Sequence, residues 1–312
     1  MVNSNVSIAF AGTPDFSVPC LKALINSHYH IPIVFTQPDR PYGRGQEMKE
    51  SEVSSFAKNS GLNLIKPRSL KDIEVSSLPE VDLFIVVAYG QIIPKKLLFW
   101  PRVDSINVHA SLLPRWRGAS PIQRSLIAGD TKTGVSIMRM ESSLDTGPIF
   151  SSKSVVIRSG YDSERLHDIL SGEGAKLLLK TLPKIINQDL NPVSQENSLA
   201  TYAYKIKKSE SIVDWNTSAI SIENHIRAFR SWSSCSSKLS DGRVLKIIDA
   251  KAVIASSEIS PGSIISVHKD YINVATGKGA LKITVVQKPG GRKMSIKAYL
   301  NAHTLEGVSF VA

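Results

Sequence analysis

The run Leu83-Phe84-Ile85-Val86-Val87-Ala88 is apolar at every position. A strand sends successive side chains to opposite faces, so an unbroken apolar run of this length predicts a strand buried on both. Such a strand needs a layer on each side of its sheet, which favours helices packed above and below a largely parallel sheet. The first two thirds of the chain fit that scheme. Val6 to Ala11 reads as a strand and Gly12 to Asp15 as a turn. Asp15 is placed to cap a helix through Val18, Leu21, Leu24 and Ile25, whose spacing is three and four. Ile31 to Thr36 reads as a second strand, Gln37 to Glu50 as a long loop, Ser51 to Asn59 as a helix and Leu62 to Ile65 as a short strand. Ser105 to His109 and Gly134 to Met140 are further strands. Tyr161 to Ile186 has a helical pattern, with a break expected near Gly172 and Gly174.

Beyond residue 188 the patterning changes. Residues 189–207 are polar and weakly patterned and read as a linker between a domain of 1–188 and one of 208–312. The last segment holds short alternating runs at Val244 to Ile248, Gly262 to Val267, Tyr271 to Ala275 and Leu281 to Val286. Turns at Asp241-Gly242 and Thr276 to Gly279 punctuate them, as in a small β-barrel or sandwich. Two domains suit a chain of 312 residues.

The formal net charge is +11, and residues 208–312 carry 14 Lys and Arg against 8 Asp and Glu. A surplus of this size points to an anionic partner, nucleic acid or a membrane surface, or to no more than a basic surface. The two cysteines, Cys20 and Cys235, exclude a disulfide framework, and neither sits in a C-x-x-C pair. A reducing compartment is expected. The apolar run Val6 to Ala11 is too short for a secretory signal, and no run approaches the roughly 20 residues of a membrane span. A cytoplasmic protein without membrane attachment is the expectation.

Two familiar motifs are missing. The turn after the first strand offers Gly12, Thr13 and Pro14 in place of G-x-G-x-x-G, and there is no phosphate-binding lysine loop. The informative segment is Asp104-Ser105-Ile106-Asn107-Val108-His109. On a strand, Asn107 and His109 share one face while Ile106 and Val108 share the other. An amide and an imidazole are thus aimed together from a strand's carboxyl end, where open α/β sheets bind ligands. By residue type alone, two hydrogen-bonded polar side chains on a half-buried strand explain the pattern better.

The stretch Asn107-Val108-His109-Ala110-Ser111-Leu112-Leu113-Pro114-Arg115-Trp116-Arg117-Gly118, with Asp145-Thr146-Gly147 downstream, resembles the signature of the folate-dependent formyltransferases. Gln37-Pro38-Asp39-Arg40-Pro41, Gly43-Arg44-Gly45, Val87-Ala88-Tyr89-Gly90 and Ile212-Val213-Asp214-Trp215 resemble the branch acting on methionine charged to initiator tRNA. The resemblance implies a Rossmann-like α/β domain with a mostly parallel sheet, followed by a small OB-like β-barrel that binds tRNA. It implies formyl transfer from 10-formyltetrahydrofolate to the methionine α-amino group. Asn107 and His109 would stabilise the oxyanion, and Asp145 would support the imidazolium and receive the amine proton. Ser111, Leu112, Leu113 and Pro114 with Ala88, Tyr89 and Gly90 would frame the folate, and Arg40 and Arg44 would contact tRNA. No metal is required, because the folate carries the formyl group. A monomer is expected.

The sequence departs from that pattern at Gln46 to Glu52, where acids replace the more usual lysine and proline. It departs again at Ala228 to Ser233, where an Asn-Pro pair is typical. Formylation of an amino-sugar nucleotide or glycinamide ribonucleotide, hydrolysis of the formyl-folate, and a catalytically silent RNA-binding module are the competing readings. The intact Asn, His and Asp set argues against the last.

Overall fold

The computed structural model describes residues 6–27, 29–43, 45–255 and 259–311. The chain forms two compact units. One comprises Met1–Pro121, Lys132–Val156 and His167–Tyr204, the other Ile122–Thr131, Ile157–Leu166 and Lys205–Ala312.

The strands of the first unit are β1 (Ser7–Gly12), β2 (His30–Phe35), β3 (Arg40–Tyr42), β4 (Glu47–Lys49), β5 (Leu64–Ile65), β6 (Leu83–Val87), β7 (Asp104–His109), β8 (Lys132–Arg139) and β9 (Ile149–Val156). The helices as far as residue 186 are α1 (Val18–Asn26), α2 (Glu52–Asn59), α3 (Lys95–Leu98), α4 (Pro121–Ile127) and α5 (Ser163–Ile186). Seven strands make one sheet in the order β5-β2-β1-β6-β7-β8-β9. Pairing is parallel from β5 to β7 and antiparallel from β7 to β9. All five residues of β6 are buried, as its sequence requires. On one face, Phe84 and Val86 join Ala9, Ala11, Ile33 and Phe35, with the Trp100 ring 5.6 Å from that of Phe84. From β1 the chain builds outward through β2 and then returns to place β6 on the other side. The crevice at the carboxyl ends of β1 and β6 is therefore the topological switch point of the sheet.

Three local expectations are revised. Asp15 accepts from the Phe16 amide at 2.9 Å and opens a 3₁₀ turn, so α1 begins three residues later. The loop 37–50 contains a two-stranded ribbon, with Arg40 opposite Lys49. Helix α5 runs unbroken through Gly172 and Gly174. A methyl group at Gly174 would stand 3.1 Å from Val108 Cγ1, so the missing side chain lets the helix backbone lie close to β7.

In the second unit, α6 (Ala219–Phe229) is capped by Ser218 and precedes β10 (Cys235–Leu239), β11 (Val244–Val253), β12 (Ile264–Val267), β13 (Ile272–Ala275), β14 (Ala280–Gln287) and β15 (Lys293–Ser295). Helix α7 (Ile296–Leu300) and β16 (Phe310–Val311) follow. The antiparallel order is β12-β13-β14-β11-β10-β16, with β15 on β14. The Phe310 amide donates to the Gly262 carbonyl at 2.8 Å, and Ser263 bridges Ser309. The ends of the strand order thereby meet, giving the small barrel the patterning implied. Trp215 fills it, 2% exposed, with its indole N–H donating to Ser237 Oγ at 2.9 Å and its ring 4.9 Å from Phe310. Two earlier segments join this unit through side chains. Arg124 grips Glu210 at 2.6 and 3.1 Å, Arg227 donates to the Tyr161 carbonyl at 2.7 Å, and Arg230 pairs with Asp162 at 3.2 Å.

Candidate active site

Asn107 and His109 lie on one face of β7, while Ile106 and Val108 are buried on the other. His109 Nε2 sits 2.9 Å from the Trp116 carbonyl. A carbonyl only accepts, so this contact puts a proton on Nε2 and leaves Nδ1 to face the Asp145 side. Nδ1 faces Asp145 Oδ2 at 3.7 Å, with both side chains largely buried. Asn107 Nδ2 donates to Asp145 Oδ1 at 3.4 Å, and the Gly118 amide donates to Asp145 Oδ2 at 2.8 Å. The Asp145 carboxylate is thus the hub that joins the end of β7 to the loop following it.

Local backbone conformation makes this possible. Trp116 adopts φ +64°, a left-handed conformation that costs a bulky residue on the order of 1–3 kcal/mol. Thr201 Oγ1 accepts from the Trp116 amide at 3.0 Å, and the turned carbonyl reaches His109. Gly118 has φ +120°, and a β-carbon there would stand 2.8 Å from the Ala203 carbonyl. Only glycine suits the position that presents its N–H to Asp145. Asp145 itself lies at φ +52°, a region Asp enters more readily than most residues.

A second group of residues holds this arrangement, and sequence reasoning assigned it no role. Arg117 is 2% exposed and donates through Nε and Nη2 to Gln195 Oε1 at 3.0 and 2.8 Å, and through Nη2 to Asn197 Oδ1 at 2.9 Å. Gln195 Nε2 donates in turn to the Asp145 and Gly147 carbonyls at 2.9 and 2.7 Å. The stretch around Gln195 is bound to the loop along its length. The Arg117 amide donates to the Thr201 carbonyl at 2.9 Å, the Ala203 amide to the Arg117 carbonyl at 2.7 Å, and the Ser120 amide to the Ala203 carbonyl at 3.1 Å. A polar cavity of about 420 Å³ lies beside Gln195, bordered by Glu141, Ser143, Thr146 and Asn197.

The Ala88-Tyr89-Gly90 turn stands at the switch point. Ala88 and Gly90 have φ of +45° and +79° and are exposed. The Tyr89 carbonyl accepts from Thr13 Oγ1 at 2.8 Å and Gln37 Nε2 at 2.7 Å. Its ring turns into the core, where burial pushes the phenol up to about 12 and the hydroxyl has no hydrogen-bond partner among the described residues. Tyr89 thus contributes backbone to the crevice. Ser111 is also buried, and its Oγ donates to the Arg115 carbonyl at 2.6 Å. Leu113 is buried too, its amide donating to Ser136 Oγ at 3.2 Å, and a cis peptide joins it to Pro114. Leu112 and Pro114 are half-buried.

Arg40 lies on the ribbon, exposed, with its guanidinium on Gln37 Oε1. Arg44 lies outside the described residues. Two of the three acids that depart from the family pattern, Glu50 and Glu52, are paired. Glu50 meets Lys58 at 2.7 Å and Lys66 at 3.6 Å, and the Lys58 and Ser54 hydrogen bonds hold its carboxyl down at about 2. Glu52 meets Lys49 at 3.0 Å. Among the described residues, no three His, Cys, Asp or Glu side chains cluster as a metal-binding set.

The sequence matches the formyl transferase family over residues 4–182 and the C-terminal domain of formyl transferase over residues 205–304. A methionyl-tRNA formyltransferase from Methylococcus capsulatus is 46% identical over 303 residues, covering 96% of this chain and 98% of the relative. Its counterpart from Coxiella burnetii is 43% identical over 302 residues, covering 96% of each. Among solved structures, an N-formyltransferase from Helicobacter canadensis in complex with folinic acid and dTDP-3-aminofucose superposes with a TM-score of 0.66 at 17% identity. That match covers 93% of this chain and all of the other. HypX from Aquifex aeolicus in complex with tetrahydrofolic acid gives 0.64 at 16% identity over 96% of this chain and 47% of that one. With both family domains matched and full-length relatives above 40% identity, the chain belongs to the formyl transferase family, in the branch whose members are named methionyl-tRNA formyltransferase.

Proposed function

We propose that this chain transfers a formyl group from 10-formyltetrahydrofolate to the α-amino group of methionine on initiator Met-tRNA, for translation initiation. The observation that carries the reading is the meeting of Asn107, His109 and the Gly118 amide on the Asp145 carboxylate at the end of β7. The exposed Ala88 and Gly90 backbone at the switch point and the half-buried Leu112 and Pro114 after β7 are assigned the flat heterocycle of the folate. Tyr89, Ser111 and Leu113 support these positions from within. The folate supplies the formyl carbon that the amine attacks.

Negative charge develops on the formyl oxygen as the amine adds. Asn107 has one amide hydrogen committed to Asp145 and a second to offer that oxygen. His109, its Nε2 proton held by Trp116, turns Nδ1 to the Asp145 carboxylate, whose charge would support an imidazolium as the oxyanion forms. Asp145 also serves as the acceptor for the proton leaving the amine, through an intervening water; as the oxyanion collapses, the bond from the formyl carbon to N10 breaks and that proton is delivered to N10 of the departing tetrahydrofolate. No covalent enzyme intermediate and no metal enters the scheme.

Residues 1–188 are assigned the chemistry, 189–207 the connection, and the barrel of 208–312 the tRNA, whose phosphates its basic surplus would neutralise. Arg40 and Arg44 are assigned contacts to the acceptor end. The protein is read as a cytoplasmic monomer; among the described residues, no helix is long and apolar enough to cross a membrane. The test is a formyl-transfer assay offering charged initiator tRNA, an amino-sugar nucleotide or water as acceptor. Formylmethionyl-tRNA as the sole rapid product is expected; transfer to the sugar amine or to water at equal or greater rate would overturn the assignment.

A further inference from the structure

The segment Thr201 to Tyr204 runs beside the loop that follows β7, with Tyr202 in a parallel bridge to Arg117. Ala203 is fully buried. Its amide donates to the Arg117 carbonyl at 2.7 Å, and its carbonyl accepts from the Ser120 amide at 3.1 Å. In an extended segment alternate residues share a face, so the burial of Ala203 turns Tyr202 and Tyr204 outward together. Their rings stack on one another, with centroids 6.2 Å apart and planes 22° from parallel. Tyr202 is 52% exposed and Tyr204 73%. Rings this exposed, on backbone this well fixed, keep an open aromatic face for a flat partner and lose little freedom when one arrives.

A short chain of bonds joins the pair to the reaction centre. His109 Nε2 meets the Trp116 carbonyl at 2.9 Å, the Trp116 amide donates to Thr201 Oγ1 at 3.0 Å, and Tyr202 is the next residue. On the same loop Arg115 is exposed, its guanidinium 4.4 Å from the centroid of the Trp116 ring. Aromatic rings and a cation are the parts with which proteins hold single-stranded nucleic acid, because rings stack on any base and cations follow the backbone. The acceptor proposed above is an amine esterified to the unpaired 3′ end of a tRNA. Whenever that amine is at Asp145, unpaired bases lie close by. We infer that Tyr202 and Tyr204 form the platform on which one of those unpaired bases stacks, holding the ester within reach of Asp145. The inference rests on the tRNA reading and adds the residues that take the unpaired end. A paired stem hides its base faces and has no use for such a platform.

The experiment uses the full-length protein and a synthetic acceptor-stem RNA with its unpaired 3′ end, carrying 2-aminopurine at each unpaired position in turn. Stacking on an aromatic ring quenches this fluorescent base, so binding to the wild type should quench it at one position. Tyr202→Ala/Tyr204→Ala should abolish the quench and weaken binding by roughly five- to a hundredfold, the range for one lost stack of a base on an aromatic ring. The salt dependence of binding should keep the wild-type slope, because no phosphate contact is removed. Tyr202→Phe/Tyr204→Phe should retain both quench and affinity, and Tyr202→Leu/Tyr204→Leu neither. Both rings are exposed, so the thermal transition of every variant should match the wild type. In formylation of charged tRNA the alanine pair should lower kcat/KM by a similar factor, chiefly through KM. Three results would overturn the inference: a wild type that quenches the probe at no position, an alanine pair that quenches and binds like the wild type, or an equal loss of affinity for a blunt duplex without the unpaired end. Each would leave the formyl-transfer reading intact, whereas a wild type that does not formylate charged tRNA would overturn both.

Discussion

Replacing Gln195 tests whether the Asp145 carboxylate is held from behind. Its side chain makes four hydrogen bonds, two donated to the Asp145 and Gly147 carbonyls and two accepted from the buried Arg117. In Gln195→Leu, Arg117 keeps only its 2.9 Å bond to Asn197 Oδ1 of the three described here. A hydrogen bond to a charged group contributes about 1.5–3 kcal/mol, and the two freed carbonyls add less because Gln195 is half-buried and water reaches them. A stability loss of about 2–4 kcal/mol follows from those bonds. Asp145 sits at φ +52° in the segment released, so its carboxylate should drift from Asn107 and His109. A misplacement of about 1 Å costs on the order of a hundredfold in rate. Gln195→Glu separates the two effects. Its carboxylate still accepts from Arg117, preserving stability, but it presents lone pairs to both carbonyls and should push the Asp145 segment away. Urea unfolding and steady-state kcat on charged tRNA, with folinate affinity as a control, are the measurements. Gln195→Leu with unaltered stability and kcat, or Gln195→Glu with full activity, would refute the reasoning.

Asn107→Ala, His109→Ala and Asp145→Ala should each lower kcat by on the order of 10²–10³, with double variants losing less than the sum because the three act on one centre; wild-type turnover in any of them in the formylation assay would contradict its role. Gly147→Ala should lower both Tm and kcat, because its new β-carbon would stand 1.9 Å from the Arg139 carbonyl and the Asp145 segment must shift to admit it; an unchanged melting curve would count against that contact. Burial pushes the Cys20 and Cys235 thiols up to about 12 from the ordinary 9.0, so neither should react with a thiol reagent until urea unfolds the chain. The same shift has a signed consequence for stability. Below pH 9 both thiols are neutral in either state and their contribution is complete; between about 9 and 12 only the unfolded chain ionises, so stability should fall as pH rises, and a urea midpoint that stays level across that range would speak against it.

The residues that chemistry demands were visible along the chain because strand geometry is local. Alternation puts Asn107 and His109 on one face, and it buries Ile106 and Val108 on the other. The apolar run of β6 located the middle of the sheet for a similar reason. Strand β9 escaped notice because it ends the strand order, with β8 its neighbour in the sheet, and half of its Ile149–Val156 sequence is serine and lysine. The break expected in α5 did not occur because Gly174 is spent on contact with β7, a demand made by a strand more than 60 residues earlier. Arg117 was legible as part of a motif but not as a buried cation, and Gln195 carried no signal, since a glutamine in a polar stretch is ordinary.

Residue pattern by itself determined the class of the fold, the place of the barrel and the pairing of Asn107 with His109 on one strand face, and the family resemblance added Asp145 to the candidate set. Tertiary structure alone decided how they are held. Asp145 reaches β7 from 38 residues away because Gln195 grips its backbone and Gly118 its carboxylate. The Trp116 carbonyl, turned by a strained residue whose amide is held by Thr201, sets which nitrogen of His109 carries its hydrogen. The physical reason is range. Side-chain alternation and helix spacing act between near neighbours and leave their mark in composition. Hydrogen bonds that place a carboxylate or choose a tautomer join polar residues far apart in sequence, and they come into being only once the sheet has brought their ends together.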